Sequence, residues 1–530
     1  MNAGSLWSFL WPSLGRLVLV GSTCFVCYVV FVLFYRLYLS PLANYPGPRL
    51  AAATHWCEFY YDVTKRGQYV FKIREWHERY GCALAYSSKG PIIRINPDEL
   101  HIHDADFLIS SVFTTSNSKR REKYEPATRL FGAPQAAIAT VDHDMHRMRR
   151  GAVGRFFSKD TVRRVEPIIQ TMLKQVFARL RVSQQTGDPL TISLLYSAFT
   201  ADVITEYAFA KSYNYLDMPD LNKKFFDMMV GVHEMGAMAR HYKWLLPTLD
   251  SLPHWLVTKL NPGMHEFFVF QDEMKRRIRE VKGKSEFYEK LSHKTVFHEV
   301  LNSDLPPQEK TVDRLWQEAS IVSIAGTETT AWTLAVITYY LLANPDLLRT
   351  LRGELFTVKT EPVAWKQLEK LPYLTAVIQE GLRLSFGVTA RFERTCPDET
   401  IKYRDGARVW EIPPGTPIST TGALYHLDPS IFPDPLRFRP DRWLDDGRAL
   451  DKYLWSFSKG ARQCLGMNLA HAELYLCLCA VFREYGGPGD QGPRMELFET
   501  SIEDVEFKYD LFVPYPKIDS KGIRVLLRDD

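Results

Sequence analysis

The 530 residues contain no N-x-S/T sequon, and their eight cysteines show no framework spacing. Both absences fit a body facing a reducing cytosol better than a disulfide-stapled scaffold. Charge of one sign is also scarce. The formal net charge is +4 and is spread along the chain, which gives no reason to propose a nucleic-acid partner. No internal repeat, low-complexity tract or linker-like stretch interrupts the chain, although its length exceeds that of a usual single domain. No G-x-G-x-x-G follows a strand-like run, so a built-in flavin or nicotinamide site is not expected. What the chain has is 46% apolar and 13% aromatic content, ample for a large core.

One long uncharged run stands near the N-terminus. From Leu17 to Tyr35 most residues are Val, Leu, Phe or Tyr, about the length of a bilayer-spanning helix. A cleaved signal peptide is the competing reading. The run is longer than a usual h-region, however, and Arg36-Leu37-Tyr38-Leu39 follows where a small-residue cleavage site would stand. Arg36, Arg49, Lys65 and Arg66 follow the span, while Arg16 and the amino terminus precede it, so the positive-inside bias places the remainder in the cytosol. Residues 1–40 are therefore expected to be an anchor with its span at 17–35, and 41–530 the catalytic domain. Three prolines between Pro41 and Pro48 predict a stiff, extended connection.

The middle of the chain, Val162 to Ala343, reads mostly as helices. Strand-like runs occur at Pro91–Ile95, Thr400–Tyr403 and Ile523–Leu527. The expected fold class is mainly α with small β-sheets, an α+β body.

Chemistry concentrates in a few segments. Phe457-Ser458-Lys459-Gly460-Ala461-Arg462-Gln463-Cys464-Leu465-Gly466 precedes a helical pattern that starts at Met467. Cys464 thus sits ahead of a helix N-terminus, where free N–H groups favour a thiolate and so a metal ligand. A lone cysteine is more often a core residue; the surrounding string argues against that here. A zinc cluster of Cys464, His471, Cys477 and Cys479 fails because the last two point to different helix faces. Cys24 and Cys27 lie in the apolar run. Trp316–Trp332 is a helical pattern with an odd polar cluster, in which Ala325 and Thr329 share a face and Gly326 lowers the bulk. Its hydroxyls would otherwise merely satisfy local carbonyls. Glu380 and Arg383 form an i,i+3 pair, and His146 and Arg150 an i,i+4 pair in a basic run.

The F-x-x-G-x-R-x-C-x-G string, the A-G-x-E-T-T helix, the E-x-x-R helix and the Phe438–Trp443 segment occur in the order found in the cytochrome P-450 superfamily. The chain is identified as resembling that family over nearly its whole length. The resemblance implies the P-450 fold behind a single transmembrane helix, haem b as cofactor, and Cys464 as the iron ligand. It gives Thr329 the alcohol that steadies reduced dioxygen and Glu328 the acid that relays protons through water. Arg150 and His146 match a W-x-x-x-R helix that reaches a haem propionate, with His in place of Trp. Arg394, with Arg391 close behind, and Arg462 complete the propionate set, and Phe457 leads the ligand loop. Glu380, Arg383 and Arg442 would lock the loop structurally.

The same resemblance implies O2, a separate NADPH-cytochrome reductase, membrane lipid and an endoplasmic-reticulum location. Tyr35–Tyr38, His77–Gly81, Arg94–His101 and Asp519–Gly522 are similar to filamentous-fungal, trichodiene-oxygenase-like members. That favours a lipophilic secondary metabolite as substrate, a terpenoid first and a polyketide-derived or alkaloid intermediate second. Expected pocket walls are Phe107–Phe113, Phe225–Met238, Ile321–Ala325, Phe386–Ala390 and Leu511–Val513. A haem-thiolate isomerase or dehydratase, or a haem sensor, would share the cysteine without needing Glu328 and Thr329.

Overall fold

The computed structural model describes residues 3–81, 91–116, 119–290, 294–360, 362–406 and 408–529. The uncharged N-terminal run forms helix α1, Ala3–Phe34. The segment Arg16–Leu39, which runs just past its end, has a mean hydropathy of 2.6, and none of its most apolar window is buried. The proline-containing connection that follows is packed rather than free. Arg94 donates to the Pro46 carbonyl at 2.7 Å, and Tyr45 donates to that of Glu411 at 2.9 Å. Arg36 is clamped as well, donating to Ala53 at 2.9 Å and accepting from Arg94 at 2.8 Å.

The body is built from helices α2 (Tyr69–Gly81), α3 (His143–Gly154), α4 (Glu166–Thr186), α5 (Ile192–Phe209), α6 (Lys223–His241) and α7 (Met264–Gly283), then α8 (Val312–Ala343), α9 (Pro345–Leu355), α10 (Pro372–Ser385), α11 (Asp441–Leu450) and α12 (Met467–Glu484). α8 is the axis. It is apolar enough to resemble a membrane span, yet 61% of its most apolar window is buried, against α5, α7, α10 and α12. All-round burial of a helix requires a nearly all-round apolar surface, and the buried faces of α5, α8 and α12 together form the main core.

Among the described residues the strands form four small sheets. β1 (Ile92–Arg94), β2 (Leu100–Ile102), β7 (Ile418–Thr420) and β4 (Phe392–Arg394) make a mixed sheet in the order β1-β2-β7-β4, with β2 and β7 parallel. β5 (Ile401–Asp405) pairs β6 (Arg408–Ile412), with Tyr403 opposite Trp410. β3 (Leu190–Thr191), β11 (Arg524–Arg528) and β8 (Arg494–Leu497) form a third sheet. β9 (Tyr509–Leu511) and β10 (Val513–Tyr515) form a tight hairpin whose tip, Phe512, has φ +74°. The Phe512 carbonyl accepts from Thr389 at 3.0 Å, which pins this tip to the turn after α10. The three strand-like runs of the sequence became β1, β5 and β11. The fold is mainly helical with small sheets, as expected.

Candidate active site

The loop before α12 is held from several directions. Glu380 on α10 accepts from Arg383 at 2.9 and 2.7 Å, from Arg442 Nε at 3.2 Å and from Trp443 Nε1 at 2.8 Å. Arg383 spends its remaining donors on the carbonyls of His426, Pro435 and Arg437. His426 in turn accepts from the Trp455 amide at 2.9 Å, and Ser456 donates to Leu382 at 2.7 Å. A buried ion network, with both Glu380 oxygens engaged, thus fixes the start of the loop. Gly460 supplies the bend: its φ is +76°, and a Cβ there would lie 2.1 Å from the Phe113 carbonyl oxygen. The Cys464 amide closes the turn on Phe457 at 2.9 Å, and the Phe457 ring sits 5.1 Å from that of His471.

Cys464 is solvent-accessible at the foot of α12 although protein crowds it on its other sides. Burial pushes its thiol above the ordinary value, while the Gly466 and Met467 N–H groups and Arg150 pull the other way. The helix N-terminus therefore acts in the expected direction but does not win by itself. A bound metal cation would add to that downward pull. Beside it, Gly466 faces open space where a Cβ would meet nothing.

On α8, Ala325 is exposed between the buried Ser323 and Thr327. The Thr329 hydroxyl donates to the Ala325 carbonyl at 2.9 Å, and Thr329 also lines a cavity. Local carbonyl bonding and an available hydroxyl thus coexist. Gly326 does not serve ligand access. A Cβ there would come within 2.7 Å of Ile204, so it serves the packing of α5 on α8. A cavity of about 310 Å³ is lined by Glu328, Thr329, Trp332, Phe225, Met229 and Val513, among others. Of the expected walls, parts of Phe225–Met238, Ile321–Ala325, Phe386–Ala390 and Leu511–Val513 are there. Phe107–Phe113 is not; Leu108, Val112 and Phe113 are buried in the core around β5, β6 and Trp455.

The cations sort differently from the sequence expectation. Arg394 is buried over the Phe113 ring, 4.9 Å from its centroid. Arg462 donates to the carbonyls of Thr140 at 2.6 Å and Val141 at 2.8 Å, leaving Nε without a partner. Arg150 and His146 line one cavity on α3 with Ala461. Lys123, which carries no motif, joins them; burial, Arg394 and Arg462 hold its ammonium well below the ordinary range. Burial first, then Arg394, brings Arg462 down to about 9, and burial takes Arg394 to about 10. His146 is pushed down to about 2 by burial and by the same cations, so it is neutral rather than a cation. Arg391 leaves this group altogether. It faces Glu58, Glu99 and Glu393, and donates to Glu58.

No carboxylate among the described residues lies within ion-pair distance of Lys123, Arg150, Arg394 or Arg462. Buried like charges of this kind are costly without an anion. An accessible thiol, an exposed Ala325, open space at Gly466 and four unpaired cations fit a flat iron-bearing cofactor with two carboxylates, as haem is. The missing anions are the ones it would bring.

The family model described as Cytochrome P450 matches residues 69–496. A cytochrome P450 monooxygenase (tpcC) of Cochliobolus heterostrophus is 44% identical, over 96% of each chain. A tryptophan 6-hydroxylase (fscE) of Fusarium equiseti is 38% identical, over 93% of each. A cytochrome P450 monooxygenase (TRI4) of Fusarium sporotrichioides is 36% identical, over 94% of this chain and 92% of its own. With the ligand loop, the α8 cluster and the cation group in one fold, the chain belongs to the cytochrome P450 family, among its haem-iron monooxygenases of fungal secondary metabolism.

Proposed function

We propose that the protein is a membrane-anchored monooxygenase in which the Cys464 thiolate holds the iron of haem b. The observation that carries this reading is an accessible thiol at the foot of α12 together with Glu328 and Thr329 on a cavity wall of α8. Bound haem-thiolate supplies the reductive activation of O2 and the insertion of one oxygen atom. The chain's own residues do the rest. Arg150, Arg394, Arg462 and Lys123 take the cofactor's two carboxylates, neutral His146 offers one more hydrogen bond, and Phe457 packs the loop. Thr329 presents a hydroxyl to the cavity, and Glu328 passes protons inward through water. An isomerase or a haem sensor would have no use for that acid and alcohol.

Electrons would come from NADPH through a separate reductase. Residues 1–40 would cross the endoplasmic-reticulum membrane once and leave 41–530 in the cytosol. The substrate is a lipophilic secondary metabolite, a terpenoid first, because Phe225, Phe226, Met229, Val230 and Ile324 line the cavity. A nitrogenous aromatic substrate is the second reading, favoured by the relative named as a tryptophan 6-hydroxylase.

Two experiments test these claims. Cys464→Ala should lose haem or the thiolate-type spectrum of the reduced, carbon monoxide-treated protein; a normal spectrum would refute the ligand assignment. Deletion of the gene should cause a sparsely oxidised terpene to accumulate. An indole-bearing precursor would select the second reading, and a sterol precursor or fatty acid would overturn both.

A further inference from the structure

Glu328 sits in the middle of a chain of contacts from three elements. Tyr515 on β10 donates its hydroxyl to Oε1 at 3.0 Å. His233 on α6 places Nε2 3.5 Å from Oε2, and its Nδ1 lies 3.3 Å from the Tyr515 hydroxyl. The three side chains close a ring at the cavity that Thr329 borders. The cavity continues past Ser193 and Ser197 of α5 toward Ser520 and Lys521. Burial and the neighbouring Glu328 push Tyr515 ionisation well above its ordinary value, so the hydroxyl remains a donor. A carboxylate with no such partners would swing freely among waters. A hydroxyl donor on one oxygen and an imidazole nitrogen beside the other restrict where it can sit.

We propose that Tyr515 and His233 are positioning residues for Glu328, holding its carboxylate beside Thr329 and tying the proton-carrying group to the placement of α6. This rests on the oxygenase reading of Glu328. The proton balance is simple: each proton Glu328 gives to the cavity is replaced from cavity water, and Tyr515 stays protonated throughout. The other charged groups facing the ring are already engaged. Glu234 pairs with Arg66 at 2.6 Å, Asp227 with Lys223 at 2.5 Å, and Asp510 accepts from Thr389 at 2.8 Å. Lys521, at the outer rim, lies 3.7 Å from Glu499.

The test uses the full-length holoenzyme with reductase, comparing wild type with Tyr515→Phe and His233→Gln. Removing a donor to the charged form raises the carboxyl's affinity for a proton. In Tyr515→Phe the alkaline midpoint of the product-to-peroxide ratio should therefore move up by about one pH unit. The carboxyl infrared band of the resting enzyme, assigned by its loss in Glu328→Gln, should titrate with the same upward shift. His233→Gln should move both midpoints in the same direction by less. Lower thermal stability with both midpoints unmoved, in either variant that folds, would mean that these residues only pack, and would overturn the proposal. Thr329→Ala separates the two readings. If it raises peroxide release while the midpoints stay unmoved in Tyr515→Phe, only this inference fails. If it leaves coupling unchanged, the oxygenase reading beneath it fails.

Discussion

A lysine ammonium buried beside two guanidiniums destabilises a protein unless an anion joins it. Lys123 is in that position next to Arg394 and Arg462. Its folded-state value lies below the ordinary one, so the haem-free protein bears the cost at every pH below the ordinary lysine range and recovers stability only as pH rises toward it. Lys123→Met should therefore leave the haem-free protein at least as stable at neutral pH, with a flatter stability–pH curve. The same change should weaken haem binding about ten-fold or more, since a hydrogen bond to a charged group contributes about 1.5–3 kcal/mol. Chemical denaturation of the haem-free form and a haem titration check the two halves. Falling stability in the haem-free form would assign Lys123 a purely structural part.

Between elements, two contacts decide how the site is framed. Gly326 lets α5 approach α8, and a methyl group there would meet Ile204 at 2.7 Å. Gly326→Ala should destabilise by about 1–3 kcal/mol, the usual range for overpacking. Ile204→Ala in the same chain should recover part of the loss in thermal unfolding. The second contact is the charge cluster that joins α6 to the sheet side. Arg240 bonds Glu58 at 2.9 Å and Glu393 at 2.7 Å, and Arg391 adds a second guanidinium. Burial would raise Glu58, but Arg391 and Arg240 hold it well below the ordinary range, so its contribution is lost as pH falls through that lowered value. Asp62 behaves oppositely. Burial pushes it up to about 8 against the pull of Arg391, with Glu58 and Asp510 adding to the rise. Its contribution is complete below the ordinary aspartate value of about 3.9 and lost as pH rises through about 8. Melting temperatures measured from pH 5 to 9 should fall more steeply in wild type than in Asp62→Asn. Parallel curves would refute the assignment.

Across the whole molecule, exposed apolar surface gathers near the chain's first segments. The most apolar window of Arg16–Leu39 holds no buried residue, and Leu50, Trp56, Trp244, Trp255 and Leu260 are each more than 60% exposed. Phe59 packs edge-on against His241 and Tyr242, at 5.4 and 5.7 Å between centroids, so the segment after the anchor lies beside the end of α6. Removing residues 1–40 should therefore release only part of the protein from membranes. A further fraction should leave when Trp244 and Trp255 are also changed to Ser, with the carbon monoxide spectrum retained. Complete release by truncation alone, in a membrane flotation assay, would show that the tryptophans play no part.

The ligand loop, the α8 cluster and the Glu380–Arg383 pair were legible in the sequence because each is short-range. Their residues are fixed by helix spacing or by a turn that only glycine makes easily. The apolar N-terminal run, the mainly helical class and three of the strands were legible for the same reason: period and composition are local properties. The cation group was only partly legible. Arg391 and Arg394 are three apart at a strand, so their side chains point to opposite faces, and the structure sends Arg391 to the Glu58 cluster. Alternation along the strand was the signal that separates them. Lys123, Tyr515 and His233 gave no signal at all. Lys123 meets Arg394 and Arg462 across hundreds of residues, and Tyr515 reaches Glu328 across 187. Local pattern determined which residue types stand ready for chemistry. Only the packing of α3 beside the ligand loop, and of α6, α8 and the β9–β10 hairpin around the Glu328 cavity, decided which charges meet, because burial and distance set electrostatic energies and neither is encoded by neighbours in sequence.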